Sequence, residues 1–383
     1  MPASPPQTQS NPARFELLLR ASFSRDDNAR ENFRAWNAQI DWNDHLHLDE
    51  YRLLPQLYRN LSALGVHEPL LQKFKGIARK SWYNNHLLLH QLAAPLDALR
   101  AAGIAFLGIH GAPFLLVGNA EYVLGATSEF GILVREGNAR GAMAQLQNFG
   151  WTPQPALVEK ILDGYIGARY FHAFVNNTGQ RIVLQWQLFP VRERGMEEIW
   201  AQARTAPLEN LEIKIPSATD QLLLCCTSGA MPRGATRFQR ALDARVWVET
   251  MGAQIEWTHI FERAEKLGGV LPMREILTRA EFDAVVPREA MTEREAWISN
   301  PRAHKGKPRA REGVSLPFPS AQSAWARFAA LWALSAQRGG DDNFFRNLAR
   351  FPKFLQHWWQ LERVTDVPRY LVNLALWQLR KKE

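Results

Sequence analysis

The sequence predicts a mostly helical α+β fold, with a small mixed β-sheet core flanked by N- and C-terminal helical regions. Apolar residues recur at helical spacing through residues 14–100, and amphipathic helical segments return after Pro216. Between them, short apolar runs bounded by glycine and other turn residues indicate strands that alternate with helices. The change of pattern at Gly103, and again at Pro216, predicts a separate α/β core.

The same patterns divide the chain into six segments. A tail rich in proline and serine comes first, and a basic stretch with several prolines precedes the last helical region. The predicted segments are a disordered tail at 1–13, an N-terminal helical region at 14–100, the α/β core at 101–215, a helical region at 216–300, a linker at 301–324 and an aromatic helical segment at 325–383.

The N-terminal region includes a long helix, predicted from Leu70 to Leu99 by apolar residues that repeat every three or four positions. His86 and His90 lie four residues apart, so they share one face of this helix. With Asp97 they could present metal ligands. The alternative is that this face packs against the α/β core.

The core and the region after it have elements in a regular order. The predicted strands of the core are 104–109, 131–134, 170–176 and 181–189, and its predicted helices are 114–117 and 139–149. The last two strands are joined by the turn Asn176-Asn-Thr-Gly179. The helices predicted after the core are 220–228, 238–251 and 257–267.

Charge and cysteine usage restrict the partners and the compartment. The 383 residues carry 46 Lys and Arg against 38 Asp and Glu, a formal net charge of +8, which favours anionic partners. Cys225 and Cys226 are adjacent and are the only cysteines, so we expect no structural disulfide and no zinc site. A reducing cytoplasm fits this usage. We expect neither a signal peptide nor a membrane span, because no suitable apolar run occurs.

Five short motifs follow one another along the chain. They are Gly103-Ile104 with Ile109-His110-Gly111, Gly125-Ala-Thr-Ser-Glu-Phe-Gly-Ile-Leu-Val134, Asn148-Phe-Gly-Trp151, Val183-Leu-Gln-Trp186 and Asp220-Gln-Leu-Leu223. Together they resemble the uncharacterised bacterial nucleotidyltransferase family of the polymerase-β superfamily. The resemblance covers roughly residues 30–270 and implies a nucleotidyltransferase-like fold for the core.

The chemistry of nucleotidyl transfer explains which positions of this pattern matter. Two divalent cations bridge the attacking hydroxyl and the triphosphate. Two aspartates at i and i+2 of a strand project to one face of the sheet, where they bind both metals together with a third carboxylate from a neighbouring strand. A glycine-containing turn at a helix N-terminus binds the phosphates through backbone N–H groups.

This chain departs from the family pattern at nearly every such position. The two aspartates align with Glu129 and Gly131, and the third carboxylate aligns with Val183. The family arginine before the first aspartate aligns with Gly125, and the lysine before the turn glycine aligns with His110. One carboxylate does not bind two Mg²⁺ ions tightly, because hard cations need several oxygen ligands. The sequence therefore predicts a catalytically degenerate member of this family, acting through nucleotide or protein-partner binding.

The candidate site residues follow from this alignment. Glu129 is the vestigial catalytic residue and the one metal ligand retained. The candidates for nucleotide binding are His110, Gly111, Ser128 and Gln185, the last of which replaces a family histidine. His172 is expected on a strand facing the same pocket as the remaining candidate general base, and a hydrogen-bonded core histidine is the alternative. Mg²⁺ and an NTP are expected as weak ligands or not at all.

An active enzyme is the alternative hypothesis. It would transfer NMP from an NTP, with Mg²⁺, to an unknown small-molecule or protein acceptor. It requires acids outside the aligned positions, and Glu121, Glu136 and Asp163 are the candidates. Solvated loop charges are the competing interpretation of all three.

The C-terminal segment is rich in tryptophan and offers a second kind of site. It contains Trp325, Trp332, Trp358, Trp359 and Trp377. These residues predict core packing first, with a protein-partner interface or an interfacial helix on a membrane as alternatives. The basic stretch 302–311 could contact phosphates, but it has no element that reads bases, so nucleic acid is not the expected partner.

Overall fold

The computed structural model describes residues 11–44, 46–117, 129–188, 196–227, 237–266, 331–336 and 344–380, with a few single residues between 273 and 328. Within these ranges the chain is mostly helical and forms a mixed seven-stranded sheet, so the predicted fold class is confirmed. The helices are α1 (Pro12–Phe23), α2 (Asn28–Asn37), α3 (Leu48–Ala63), α4 (Leu70–Ala101), α5 (Gly111–Val117), α6 (Ala139–Asn148), α7 (Leu162–Ala168), α8 (Met196–Ala201), α9 (Ala218–Thr227), α10 (Arg237–Met251), α11 (Trp257–Lys266), α12 (Phe344–Trp358) and α13 (Asp366–Arg380). The strands are β1 (Phe106–His110), β2 (Glu129–Val134), β3 (Thr152–Gln154), β4 (Phe171–Val175), β5 (Arg181–Gln185), β6 (Arg204–Leu208) and β7 (Leu211–Ile215).

The chain divides into two compact units. The first comprises Met1–Ala93, Gly111–Ser128 and Ala206–Asn210, and the second comprises Ala94–His110, Glu129–Thr205 and Leu211–Glu383. In the first unit, α1 packs against α2 and α3. Glu50 of α3 is fully buried there, and Arg14 neutralises its charge across 2.6 Å. A buried carboxylate without such a partner would be strongly unfavourable, so this ion pair fixes how α1 docks on α3.

The seven-stranded sheet brings the motifs from residues 103–134 and 183–186 side by side. Its strand order is β3-β4-β5-β2-β1-β7-β6. β2 runs parallel to β5 and antiparallel to β1. The register places Gly131 beside Val183 on one side and beside Ile109 on the other. We call the sheet face that carries these three residues the front face, and the opposite face the back face.

Two apolar clusters cover the front face. One joins β1 and β2 to α8 and α9 through Leu107, Ile109, Leu133, Leu188, Ile199 and Leu224. The other joins β4 and β5 to the C-terminal helices through Tyr170, Phe171, Val183, Leu331, Leu334, Phe351, Leu355, Trp358 and Val367. Burial of these aliphatic and aromatic groups is what attaches the C-terminal helices to the sheet.

The tryptophans of the C-terminal segment belong largely to this second cluster. Trp358 is buried in it, and Trp332 and Trp359 pack against it while partly exposed. The core interpretation is therefore confirmed for Trp358. Trp325 and the side chain of Trp377 lie outside the described residues.

Two further expectations from the sequence can be compared with the fold. Cys225 and Cys226 are free and buried, and burial raises the pKa of the Cys226 thiol to about 12, which makes it unreactive. Among the residues that the structure describes, no helix combines the length and apolarity needed to cross a membrane.

Candidate functional site

The register of the sheet assembles the three aligned carboxylate positions on neighbouring strands. Gly131 of β2 pairs with Val183 of β5. Two residues earlier on both strands, Glu129 pairs with Arg181. A two-metal centre needs ligand positions arranged in this way, because residues two apart on a strand share a face. The side chain of Glu129 lies outside the described residues.

The ring of His110 occupies the space in front of Gly131. A Cβ atom built on Gly131 would lie 2.6 Å from His110 Cδ2, 2.7 Å from Ile109 Cγ1 and 2.9 Å from the Ile109 carbonyl oxygen. Real Cβ atoms do not approach other heavy atoms this closely, so no side chain fits at position 131 beside this histidine.

An unusual backbone conformation aims His110 at the front face. Residues of a strand alternate in direction, so a regular β1 would turn His110 to the face opposite Ile109. His110 instead has a φ of 58°, in the left-handed region that non-glycine residues rarely adopt. The strain is offset by contacts that hold the ring over Gly131.

Hydrogen bonds fix His110 in this position. Its Nε2–H donates to the side-chain oxygen of Gln185 on β5, and its backbone carbonyl accepts from Gln221 Nε2 at 3.2 Å. Two candidate nucleotide-binding residues, His110 and Gln185, are therefore brought together and bonded to each other. Of the other two, Gly111 begins α5, and Ser128 lies outside the described residues.

The residue at the third aligned position, Val183, is apolar, and so are the groups around it. Val183 is completely buried and belongs to the cluster with Phe171 and Trp358. Arg169 lies over the Trp358 ring, 4.3 Å from its centroid, at the edge of the same cluster. A carboxylate at position 183 would have to give up its hydration inside this cluster.

His172 does not face the pocket that the sequence suggested, so that expectation is wrong. It pairs with Leu184 and not with Val183, and this difference of one residue turns it to the back face. There its Nδ1 accepts from Tyr165 Oη at 2.6 Å, and its Nε2–H donates to the Pro155 carbonyl at 3.0 Å. The alternative interpretation, a hydrogen-bonded core histidine, is confirmed.

The electrostatics of His172 agree with a structural role. Burial lowers the pKa of His172 to about 4, and the nearby cations Arg169 and Arg181 act in the same direction. The ring is therefore neutral at pH 7, and both of its nitrogens are already engaged. Neither nitrogen is left to accept a proton from a substrate.

Two of the three acids considered as replacement ligands, Asp163 and Glu136, have partners outside the aligned positions. Asp163 of α7 forms an exposed ion pair with Arg140 at 2.9 Å. Glu136 accepts a hydrogen bond from Gln187 at 3.2 Å, and Glu121 lies outside the described residues. Among the described residues, no group of three histidines, cysteines or acids is placed to hold a metal ion.

The part of the chain that contains these positions also matches a known protein family. Residues 38–281, well over half of the chain, match the family described as uncharacterised nucleotidyltransferase. The chain belongs to this nucleotidyltransferase family. Neither the curated proteins nor the solved structures contain a match to the chain. The family match ends before residue 331, so the helices that cover Val183 come from the part of the chain beyond it.

The Asp-x-Leu-Leu motif of the nucleotidyltransferase family forms a buried anchor in this chain. Asp220 has no exposed side-chain surface and pairs with Arg263 of α11 at 2.7 Å. Ser217 precedes α9, and its hydroxyl both donates to the Asp220 carboxylate and accepts from the Asp220 backbone N–H. Burial raises the pKa of Asp220, although Ser217 and Arg263 act against that shift. The Ser-x-x-Asp spacing is a helix-capping signal that is visible in the sequence alone.

The histidine pair on α4 is neither buried nor a metal site in the described structure. Both side chains are exposed, so the expectation that they pack against the core is wrong. The ring of His86 contacts the ring of Trp82 at a tilt of 34°, with centroids 4.0 Å apart. His90 bonds to Glu209 at 2.8 Å.

Proposed function

We propose that this nucleotidyltransferase-family protein has lost nucleotidyl transfer and acts by binding, either to a nucleotide weakly or to a macromolecular partner. The observation that carries the proposal is the position of His110. Its ring and Ile109 leave no room for a side chain at position 131, where the family places a metal-binding aspartate. The residues present therefore do not fit a two-metal centre.

The environment of Val183 supports the same conclusion from a neighbouring strand. A metal-binding carboxylate needs water or cations at its oxygens. Val183 instead contacts apolar groups that include helices from outside the family match. Two of the three aligned positions thus offer no ligand, and Glu129 alone provides too little negative charge for a pair of divalent cations.

The fold can be retained after this loss because its stability does not depend on the metal ligands. The front face is closed by apolar clusters, and His110 is held by hydrogen bonds to Gln185 and Gln221. Burial of this kind supplies the main favourable free energy of folding. The chain can therefore stay folded without catalysing nucleotidyl transfer, and binding is the function that we propose for it.

A transfer assay tests the proposal. The full-length protein is incubated with each α-labelled NTP and Mg²⁺ or Mn²⁺, and pyrophosphate release and transfer of label to the protein and to added hydroxyl acceptors are followed. Glu129→Gln is the matched control, because it removes the one retained ligand without changing the shape of the side chain. We expect the wild type and the variant to give the same background. Metal-dependent pyrophosphate release that Glu129→Gln abolishes would overturn the proposal.

A further inference from the structure

The solvent-facing side of α4 carries cations and aromatic rings along one stripe. Lys75, Arg79 and Tyr83 follow one another at intervals of four residues, and Trp82 and His86 do the same. At 3.6 residues per turn, these five residues lie on one side of the helix. We call them the α4 stripe.

The cations of this helix are unusual in lacking acidic neighbours. Between Leu70 and Leu96 the chain contains no Asp or Glu but four basic residues, namely Lys73, Lys75, Arg79 and Lys80. Within the described part of the chain, none of the four forms an ion pair or a hydrogen bond through its side chain. Elsewhere, cations such as Arg14 and Arg140 are paired with acids. This helix therefore presents a group of neighbouring cations whose charge no acid neutralises.

The aromatic rings of the stripe are exposed to an extent that folding does not explain. Trp82 keeps 48% and Tyr83 keeps 59% of their surface accessible. The rings of Trp82 and His86 contact each other with a tilt of 34° between their planes and 4.0 Å between their centroids. Exposed tryptophan and tyrosine beside cations are typical of surfaces that bind a partner. The stripe ends at His90, where Glu209 supplies an acid.

We propose that the α4 stripe binds single-stranded nucleic acid. Lys75 and Arg79 would neutralise backbone phosphates, and unpaired bases would stack on the rings of Trp82 and Tyr83. A single strand is required because its bases expose the flat faces that stacking needs, whereas a duplex hides them. The exposed rings of Trp82 and Tyr83 distinguish this partner from an acidic protein, which the cations alone would attract.

The shape of the surface excludes a small ligand as the main partner. The segment from Lys73 to His86 extends about 20 Å along the convex side of one helix. Small molecules bind in concave pockets that enclose most of their surface. A polymer gains affinity from many weak contacts along a line, which is what a helix of this length offers.

This inference goes beyond the loss of transfer and does not depend on it. The sequence expectation set nucleic acid aside because the basic stretch 302–311 has no element that reads bases. The α4 stripe lies in another part of the chain. Only the structure reveals that its cations are unpaired and its rings exposed.

Fluorescence anisotropy with labelled oligothymidylate and oligouridylate tests the proposal on the full-length chain over a range of salt concentrations. Trp82→Ala/Tyr83→Ala should weaken binding about tenfold or more with little change in its salt dependence. Lys75→Ala/Arg79→Ala should weaken binding and reduce the slope of log K against log salt by about 1.4. The matched control Lys353→Ala/Arg369→Ala, which removes exposed cations from α12 and α13, should change neither.

Two results would overturn the proposal. One is the absence of binding to either oligonucleotide at low salt by a chain whose circular dichroism shows it to be folded. The other is binding that polyglutamate competes for equally and that Trp82→Ala/Tyr83→Ala leaves unchanged, which would indicate an acidic protein partner. A positive transfer assay would overturn the proposed function and leave this inference intact, so the two failures are distinguishable.

Discussion

His110 and Gly131 form a complementary pair across β1 and β2: the imidazole ring of one fills the space that the missing side chain of the other leaves. The ring reaches that space because His110 has a φ of 58° and bonds to Gln185. The pair explains why glycine fits at the second aligned carboxylate position, since the ring takes up the space beside it. It also makes the packing there sensitive to the smallest added group.

Gly131→Ala should lower the free energy of unfolding by about 1–3 kcal/mol, because the new Cβ meets both His110 and the backbone of Ile109. Urea denaturation measures this change. Gly137→Ala is the matched control, since no atom lies within 4 Å of its Cβ, and we expect it to change stability by less than about 0.5 kcal/mol. Equal effects of the two substitutions would show that the His110 ring does not lie over Gly131.

Val183→Asp should destabilise the protein by more than about 3 kcal/mol, because it places an unpaired carboxylate among apolar groups. Val183→Ala removes packing alone and should cost about 2 kcal/mol. Both are measured by urea denaturation at neutral pH. If aspartate costs no more than alanine, water reaches position 183 and the front face is open.

His172 should make stability depend on pH. Its pKa is about 4 in the folded state against an ordinary value of 6.5. Between pH 4 and pH 6.5 His172 is therefore protonated in the unfolded chain but neutral in the folded chain. The contribution of His172 to the free energy of unfolding is therefore fully present above about pH 6.5. It is lost as the pH falls towards 4, by about 2 kcal/mol between pH 7 and pH 5.

The variant His172→Gln removes this titration. Chemical denaturation at both pH values should show the wild type losing about 2 kcal/mol more than the variant on acidification. The same loss in both proteins would contradict a neutral, buried His172.

Asp220→Asn should cost about 3–5 kcal/mol, because it leaves the guanidinium of Arg263 buried without its charge partner. Ser217→Ala, which removes the cap of α9 and keeps the ion pair, should cost only about 1 kcal/mol. Comparison of the two denaturation midpoints is the measurement. An asparagine variant as stable as the alanine variant would mean that the motif has no anchoring role.

The sequence predicted the elements of the core wherever a local pattern carried the information. The apolar repeat predicted α4 to within two residues of its ends, and apolar runs predicted β1, β2, β4 and β5. It did not predict β3, which has three residues and contains a proline, or the hairpin of β6 and β7. The alternation of apolar and charged residues in Leu211-Glu-Ile-Lys-Ile215 is nevertheless the pattern of a half-buried strand, and it is the signal for β7.

The candidate site was less predictable because it depends on the direction in which individual side chains point and on contacts with distant segments of the chain. The face that His172 occupies follows from the strand register, and a shift of one residue reverses it. The direction of His110 follows from a positive φ that no local pattern signals. The apolar layer over Val183 comes from residues more than a hundred positions away, so only the tertiary fold reveals it.

The most direct test of the central claim, that the front face no longer holds a two-metal nucleotide site, is calorimetric titration of the full-length protein with Mg²⁺-ATP and Mg²⁺-GTP. This measurement needs no acceptor substrate. Glu129→Ala serves as the control, because Glu129 is the one retained oxygen ligand among the aligned positions. The account predicts weak binding or none, with no difference between wild type and variant. Micromolar binding that Glu129→Ala abolishes would contradict it and would mean that the metal site of the family is intact.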